Sequence, residues 1–320
     1  MKALILAGGY ATRLWPITKK EAKPLLPLAG TKILDYILDE IEQNSKIDTI
    51  YVTTNERFEE SFEKHLSNRK SDKYELVIES QEKEEEKYGA IGGMMNVIEN
   101  KEPDDYLIIG GDNYYSFNIN DFIDFSLKKK GICNAVYKVE SIEEAKNYGI
   151  VDFDENYKIR DFQEKPENPK SRMASTACYF FPKTMLKAFD EYVNFWDGKI
   201  SKDKYLDEPG RFLEWISERY DTYAFVFEGK WVDIGTREGY LRAEREVSEG
   251  NTIRCNLSRS EIGENVTILE NSKIENSEIE NSIIFEGCKI KGSVIIDTIV
   301  GKDTEIVDKE IREGLIKKID

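Results

Sequence analysis

Three features of this 320-residue sequence predict an α/β fold with a mainly parallel sheet, followed by a short β-helix. Up to about residue 240, apolar strand-like runs alternate with amphipathic helical stretches, as in a sheet covered by helices. The opening run Ala3–Ala7 empties directly into Gly8-Gly9, so a strand leads into a glycine loop at the start of the chain. From residue 262 to 299, isoleucine recurs every five or six residues. That period fits neither one helix nor one alternating strand; it fits short parallel strands wound with one inward aliphatic per face.

In chain order, strands are expected at 3–7, 49–53, 74–78, 106–109 and 134–139. Between them, 33–43 carries a helical stripe at Ile33, Ile37, Leu38 and Ile41, and 56–66 and 88–99 read as further helices, the last opened by Gly89. The expectation is a Rossmann-like, mixed but mostly parallel sheet with helices on both faces. The stretch 237–249 reads as a connecting helix. In the tail, the isoleucines at 262, 268, 274, 279, 284, 290 and 296 run through the blocks ENSKI, ENSEI and ENSII. A pentapeptide-repeat solenoid competes, but the period returns to six on both sides and favours a left-handed, hexapeptide-type β-helix. Two or three such coils bury little alone, so the segment is expected to pack on the main domain or on another subunit. The expected divisions are a first domain at 1–245, a β-helix at 250–305 and a tail at 306–320.

Composition narrows the chemistry. Hydrophobic residues make up 40% and charged residues 34%, as expected of a soluble globular chain, and the net charge is -16. A general nucleic-acid binder needs a basic face, so a chain this acidic is a poor candidate for that class, and any phosphate must be met by a few local cations. Cys133, Cys178, Cys255 and Cys288 show no Cys-x-x-Cys, which argues against a disulfide framework or zinc site and fits a reducing cytoplasm. The first apolar run is too short for a signal-peptide core, and no run of about 18 apolar residues exists to span a membrane. His65, the one histidine, lies among charged residues at helical spacing. Ser-His-Asp and Cys-His catalysis and multi-histidine metal sites are thereby removed. Catalysis falls to carboxylates, lysines, arginines and a divalent ion.

The glycine loop offers the first of these groups. Backbone N–H groups beside Gly8 and Gly9 approach phosphate oxygens closely, Arg13 forks onto them, and Lys23, stiffened by Pro24, adds a point charge. Neither G-x-x-x-x-G-K-[ST] nor G-x-G-x-x-G is present. On the residues alone, a phosphate loop and an ordinary strand–turn with surface cations are equally open.

The segment LAGGYATRLWPITKKEAKPLLPLAG resembles the signature of the sugar-1-phosphate nucleotidyltransferases, G-G-x-x-T-R-L-x-P-x-T followed by K-P. Five later segments agree in family order: YGAIGGM, IIGGDNYYSF, NYGIVDFDENYKIRDFQEKPENP, STACYFF and WVDIGTREGYLRA. The isoleucine tail resembles the β-helix that follows this domain in many members. The resemblance implies a catalytic domain joining an NTP to a sugar 1-phosphate, with pyrophosphate released. It implies that Gly8, Gly9, Thr12 and Gly89 line the nucleotide, and that Arg13 and Lys23 meet its phosphates. Asp112 and Asp233 would hold Mg²⁺, and Lys165 would face the attacking phosphate. Tyr148, Gly149 and Glu164 would receive the hexose, with Asn113 and Thr176 as further contacts.

The sequence departs from the pattern where the base is read. Gly89-Ala90-Ile91-Gly92 replaces G-T-A-G, and SQEKEEEKYG is longer and more acidic than usual. Gln81 suits the residue type of thymidylyl- and uridylyltransferases, Glu84 suits the spacing, and both stay open as base readers. Ala177 and Cys178 also replace a usual Gly and aliphatic; Cys178 reads as a small core residue. "GDN" followed by aromatics resembles the glucose-1-phosphate thymidylyltransferase branch and points to glucose 1-phosphate with dTTP or UTP. A mannose-1-phosphate guanylyltransferase and a catalytically silent regulatory subunit are the alternatives. The tail contains no histidine, so the acyltransferase chemistry of other β-helices is not expected, and a structural role in a homo-oligomer is.

Overall fold

The computed structural model describes residues 1–79 and 89–317, which fold as two compact units. The first takes its residues from Met1–Gly8, Leu38–Gly111 and Ser116–Gly229. The second takes Gly9–Ile37, Asp112–Tyr115 and the chain from Lys230 onward.

Among the described residues, a nine-stranded mixed sheet organises the first unit. Its main order is Ile159–Glu164, Gly149–Phe153, Met173–Phe181, Tyr106–Gly110, Lys2–Leu6, Thr49–Asn55 and Tyr74–Glu79. Ile132–Lys138 pairs with Met173–Phe181 and, in parallel, with Thr222–Phe227. Lys2–Leu6 lies parallel to both neighbours, with Ile5 opposite Val52 and Ile109. Ala3, Leu4 and Ile5 are fully buried, as an apolar run covered on both faces must be. The four parallel strands from 2, 49, 74 and 106 therefore end at one edge, where Gly8, Asn55, Glu79 and Gly111 lie. Ligands of open α/β sheets bind at such carboxyl ends.

Helix positions follow local signals. In Ile119–Lys129 the Asn118 side chain caps Asn120 N–H at 2.8 Å, and Lys130 leaves the helix at φ 56°. The helix Pro209–Ser217 begins at a proline and buries Phe212, Leu213, Trp215 and Ile216. Phe212 stacks on Phe181 at 5.8 Å, beside Tyr192 and Phe189, and this anchors the helix start beneath the end of Ile159–Glu164. Cys178 is fully buried, in keeping with a core position.

The second unit contains the β-helix. Among the described residues, its strands form three parallel sheets of five, four and four members, running from Thr252–Ile253 to Leu315–Ile316. Lys289 lies between Lys273 and Glu305, and Ile299 between Ile283 and Leu315. This three-faced coil excludes the pentapeptide solenoid and fits the left-handed β-helix. Ile268, Ile274, Ile279, Ile284 and Ile290 point inward, as expected. At the next face Ile295, fully buried, takes the place expected of Ile296. The coil also continues beyond 305, because Asp297, Asp303, Asp308 and Glu313 keep the positive-φ corners that asparagine supplies earlier.

Those corners explain the ENS blocks. Asn271, Asn276 and Asn281 take φ of 62°, 47° and 42°, a region asparagine tolerates. Each following serine accepts an N–H from the next coil: Ser272 from Cys288, Ser277 from Ser293, and Ser282 from Thr298, all at 3.1 Å. Ser277 and Ser282 hydroxyls donate in turn to the carbonyls of Glu275 and Glu280. One outer face, with Ile283, Phe285 and Ile299, packs on Leu14, Ile17, Leu26, Leu28, Ile33, Val232, Ile234 and Tyr240. The coil thus finds its apolar partner within its own chain. Among the described residues, no helix is long and apolar enough to cross a membrane.

Candidate active site

In the second unit, the glycine loop turns at Ala11 (φ 48°), whose carbonyl accepts the Thr18 hydroxyl at 2.8 Å. Thr12–Leu14 form a 3₁₀ turn, and buried Leu14 and Ile17 anchor it while Arg13, in the middle of the turn, stands exposed. At Gly9 an added Cβ would meet nothing within 4 Å among the described residues. Lys23 opens the next 3₁₀ turn, Lys23–Leu25, with Pro24 behind it. Its buried side chain brings Nζ onto Asp112 Oδ2 as an ion pair.

Asp112 meets Asp233 through a two-stranded ladder. Asn113–Tyr115 pairs antiparallel with Trp231–Asp233, placing Asn113 opposite Asp233, and Ile234 N–H donates to the Asp112 carbonyl. Asn113 Nδ2 donates to Asp112 Oδ1 at 2.9 Å, and its Oδ1 accepts the Trp231 indole N–H at 2.9 Å. Its carboxamide thus orients Asp112 and is engaged there. Burial pushes the Asp233 carboxyl above its ordinary range, and the Asp112 charge adds to that. Lys23, Arg13 and Arg242 pull the other way. Two hard oxygen groups and two or three cations therefore share one site. Among the described residues, no cluster of three or more His, Cys, Asp or Glu could hold a metal. A divalent ion on Asp112 and Asp233 would complete its shell with water and substrate oxygens, as Mg²⁺ commonly does. Thr236 accepts Gly239 N–H at 3.1 Å and so starts the helix Arg237–Val247 just past Asp233.

The first unit holds two further groups. At the sheet edge, Asn55 Nδ2 donates to the Gly8 carbonyl at 2.9 Å. Glu79, 7% exposed, lies against both Gly8 and Gly93: a Cβ at either would come within 2.9 Å of a Glu79 oxygen. Burial raises its carboxyl to about 7, and the Thr53 hydroxyl opposes the rise. Glu79 was not among the expected residues; the available signal was an acidic side chain at the carboxyl end of an expected strand. Gly89 opens the helix Gly89–Asn100 and packs on the Leu206 carbonyl, where a Cβ would sit 2.5 Å away. Gln81 and Glu84 lie outside the described residues.

At the other group, Gly149, Glu164 and Lys165 come together with Tyr148. The Tyr148 carbonyl accepts Lys165 N–H at 3.2 Å, and Lys165 Nζ lies 3.5 Å from Glu164 Oε1. Burial raises the Glu164 carboxyl, while Lys165 and Arg211 oppose the shift. Gly149 gives room: a Cβ there would lie 2.5 Å from the Phe162 ring and 3.1 Å from Glu164 Oε2. Gly210 is tighter still, since its Cβ would fall 1.6 Å from Glu164 Oε2. Gly210 and Arg211 were not expected from sequence. Thr176 is not brought to this group: it is fully buried, and its hydroxyl donates to the Ala135 carbonyl at 2.8 Å within the sheet.

The nucleotidyl transferase family model matches residues 2–250. A glucose-1-phosphate adenylyltransferase of Mycoplasma mobile is 31% identical over 335 residues, covering 96% of this chain and 84% of that one. A protein of the same name from Thermotoga maritima is 32% identical over 259 residues, 77% of this chain and 60% of the relative. Among solved structures, one from Bacillus anthracis, described as a glucose-1-phosphate thymidylyltransferase in complex with sucrose, superposes with a TM-score of 0.65. It is 22% identical and covers 80% of this chain and 97% of its own. A UDP-glucose pyrophosphorylase complexed with UDP-glucose gives a TM-score of 0.63 at 21% identity, covering 76% and 96%. The fold is thus shared with known structures, and the chain belongs to the nucleotidyl transferase family, among the sugar-1-phosphate nucleotidyltransferases.

Proposed function

We propose that nucleotidyl transfer in this protein runs from ATP to glucose 1-phosphate, giving ADP-glucose and pyrophosphate, with Mg²⁺ held by Asp112 and Asp233. The observation that carries an active enzyme is the Lys23–Asp112 ion pair beside Asp233 and within the field of Arg13. A silent subunit has no need of that charge arrangement. Support for ATP and glucose 1-phosphate comes from the names of the relatives, one of which aligns over 96% of this chain.

The reaction needs no protein nucleophile, in keeping with a chain that has one histidine. An oxygen of the sugar phosphate attacks the α-phosphorus in line, the bond from that phosphorus to the β-phosphate oxygen breaks, and pyrophosphate leaves. Positioning and charge neutralisation do the work. In this reading Lys23 steadies the reacting phosphates and Arg13 takes the charge of the departing pyrophosphate. Lys165 binds the attacking phosphate, Glu164 accepts hydrogen bonds from hexose hydroxyls, and Tyr148 and Gly149 back the ring. A single charge pair at about 4 Å in a partly screened site contributes up to about 4 kcal/mol. Bound Mg²⁺ supplies further neutralisation of phosphate charge.

A second reading keeps dTTP or UTP as donor, favoured by Gly111-Asp112-Asn113 followed by Tyr114 and Tyr115. Pyrophosphate release with Mg²⁺ separates the two, across ATP, dTTP, UTP, GTP and CTP against glucose-, mannose-, galactose- and N-acetylglucosamine-1-phosphate. ATP with glucose 1-phosphate is expected to dominate, and Asp112→Ala to abolish it. Preference for dTTP or UTP supports the second reading, and silence across the grid overturns both.

A further inference from the structure

One buried carboxylate of the second unit lies outside the groups above. Glu244 is 1% exposed, on the helix that starts just after Asp233. Its Oε2 accepts the backbone N–H of Ala29 at 2.8 Å, and its Oε1 accepts the Thr267 hydroxyl of the β-helix. Ala29 sits at φ 48° in the tight hairpin joining Pro27–Leu28 to Thr31–Lys32. That hairpin directly follows the turn presenting Lys23, with Leu26 N–H bonded to the Lys23 carbonyl at 3.0 Å. One helical turn before Glu244, the Tyr240 hydroxyl donates to the Pro27 carbonyl. From the other side, the Tyr36 hydroxyl donates to the Leu28 carbonyl at 2.9 Å.

We propose that Glu244 is a positioning residue that holds the Lys23 turn against the Asp233 helix and fixes both to the β-helix through Thr267. Side chains from one helix grip the segment after Lys23, while the start of that helix follows Asp233. Lys23 and Asp233 are therefore kept in register by the same element. Both Glu244 oxygens accept from neutral donors, so the residue works by geometry and not by pairing charge. A buried carboxylate is costly when unsatisfied, and a buried N–H left without its acceptor costs as well. Loss of Glu244 releases Ala29 N–H and lets the hairpin open locally, ahead of global unfolding. The β-helix, through Thr267, then bears on the placement of Lys23.

The catalytic part of this inference rests on the proposed transfer reaction; the mechanical part does not. The test uses the full chain and three variants: Glu244→Ala, Glu244→Gln and Thr267→Val. Amide hydrogen exchange of the segment 23–33 is measured beside steady-state kinetics with the best NTP and sugar 1-phosphate. In Glu244→Ala, exchange of 23–33 is expected to rise about tenfold or more while the strand 2–6 and the coil 289–312 keep their protection. Its kcat is expected to fall about tenfold, with KM for the sugar phosphate within about twofold. Glutamine keeps one acceptor and gains a donor that the Thr267 oxygen can accept, so Glu244→Gln restores both readouts to within about threefold. Thr267→Val falls between. Unchanged exchange at 23–33 in Glu244→Ala overturns the proposal even if no substrate is ever found. Exchange raised uniformly over the chain also overturns it, because it marks a merely structural role. Selective exchange with unchanged kcat overturns the catalytic part, whereas a wild type inactive on every substrate pair refutes the transfer reading and leaves the exchange test standing.

Discussion

Glu79 and Glu164 are both acidic groups confined by glycines, and they bear on different observables. For Glu79 the observable is stability. Its carboxyl titrates at about 7 in the folded protein against an ordinary value of 4.5, so between those pH values the folded state holds a proton that the unfolded chain has lost. Folding stability from this group is complete below pH 4.5 and declines as the pH rises through 7. A shift of this size corresponds to about 3 kcal/mol. Urea unfolding at pH 5 and pH 8 is therefore expected to show Glu79→Gln gaining on the wild type by about 2–3 kcal/mol between the two, since glutamine has no proton to lose. Parallel pH profiles would refute the buried titration. For Glu164 the observable is substrate affinity. Gly210→Ala drives a methyl into Glu164 Oε2, where the native separation allows only 1.6 Å. The carboxylate must turn out of its place beside Lys165. KM for the sugar phosphate is expected to rise about tenfold with KM for the NTP within about twofold. Equal changes in both constants, or none, would show that Glu164 does not face the sugar.

The elements that were legible in sequence are those whose signal is local. The run Ala3–Ala7 before two glycines shows a buried strand and its loop in one stretch, and ENS carries the coil corner and its hydroxyl ladder in three residues. Much less visible in sequence is the hairpin Gly149–Phe153 and Ile159–Glu164, because exposed Asp152 and Arg160 interrupt its apolar signal. Ile295 and Ile296 are indistinguishable by type, and only the pairing of Ile279 with Ile295 decides which points inward. The site divides the same way. Lys23, Asp112 and Asp233 could be named because their motifs are continuous. Gly210 and Arg211 could not, because what matters is their approach to Glu164 on a distant strand. Thr176 and Asn113 were expected at the sugar, but their polar groups meet Ala135, Asp112 and Trp231, partners that no spacing in the chain displays.

For the whole chain the tail matters most, since it was expected to serve assembly. Its outer face also completes a core with the glycine loop and the helix after Asp233. Ile283, Phe285 and Ile299, each fully buried, rest on Leu14, Ile17, Leu26 and Leu28. Burying one such side chain contributes about 1.5–3 kcal/mol, so these three contribute roughly 5–9 kcal/mol. That equals a large part of the roughly 5–15 kcal/mol by which a domain is stable. The family match ends at residue 250, yet the loop inside it that carries Arg13 and Lys23 depends on residues beyond that point. A chain cut after residue 250 is therefore expected to expose Leu14, Ile17, Leu26 and Leu28, to aggregate or melt well below the intact protein, and to lose turnover. Loss of subunit contacts alone would lower the oligomer number and leave the melting of each subunit nearly unchanged. Sedimentation, thermal unfolding and turnover measured on the same truncated chain distinguish the two. A cut chain that remains soluble, melts with the intact protein and keeps its kcat would show that the β-helix is dispensable to the loop it covers.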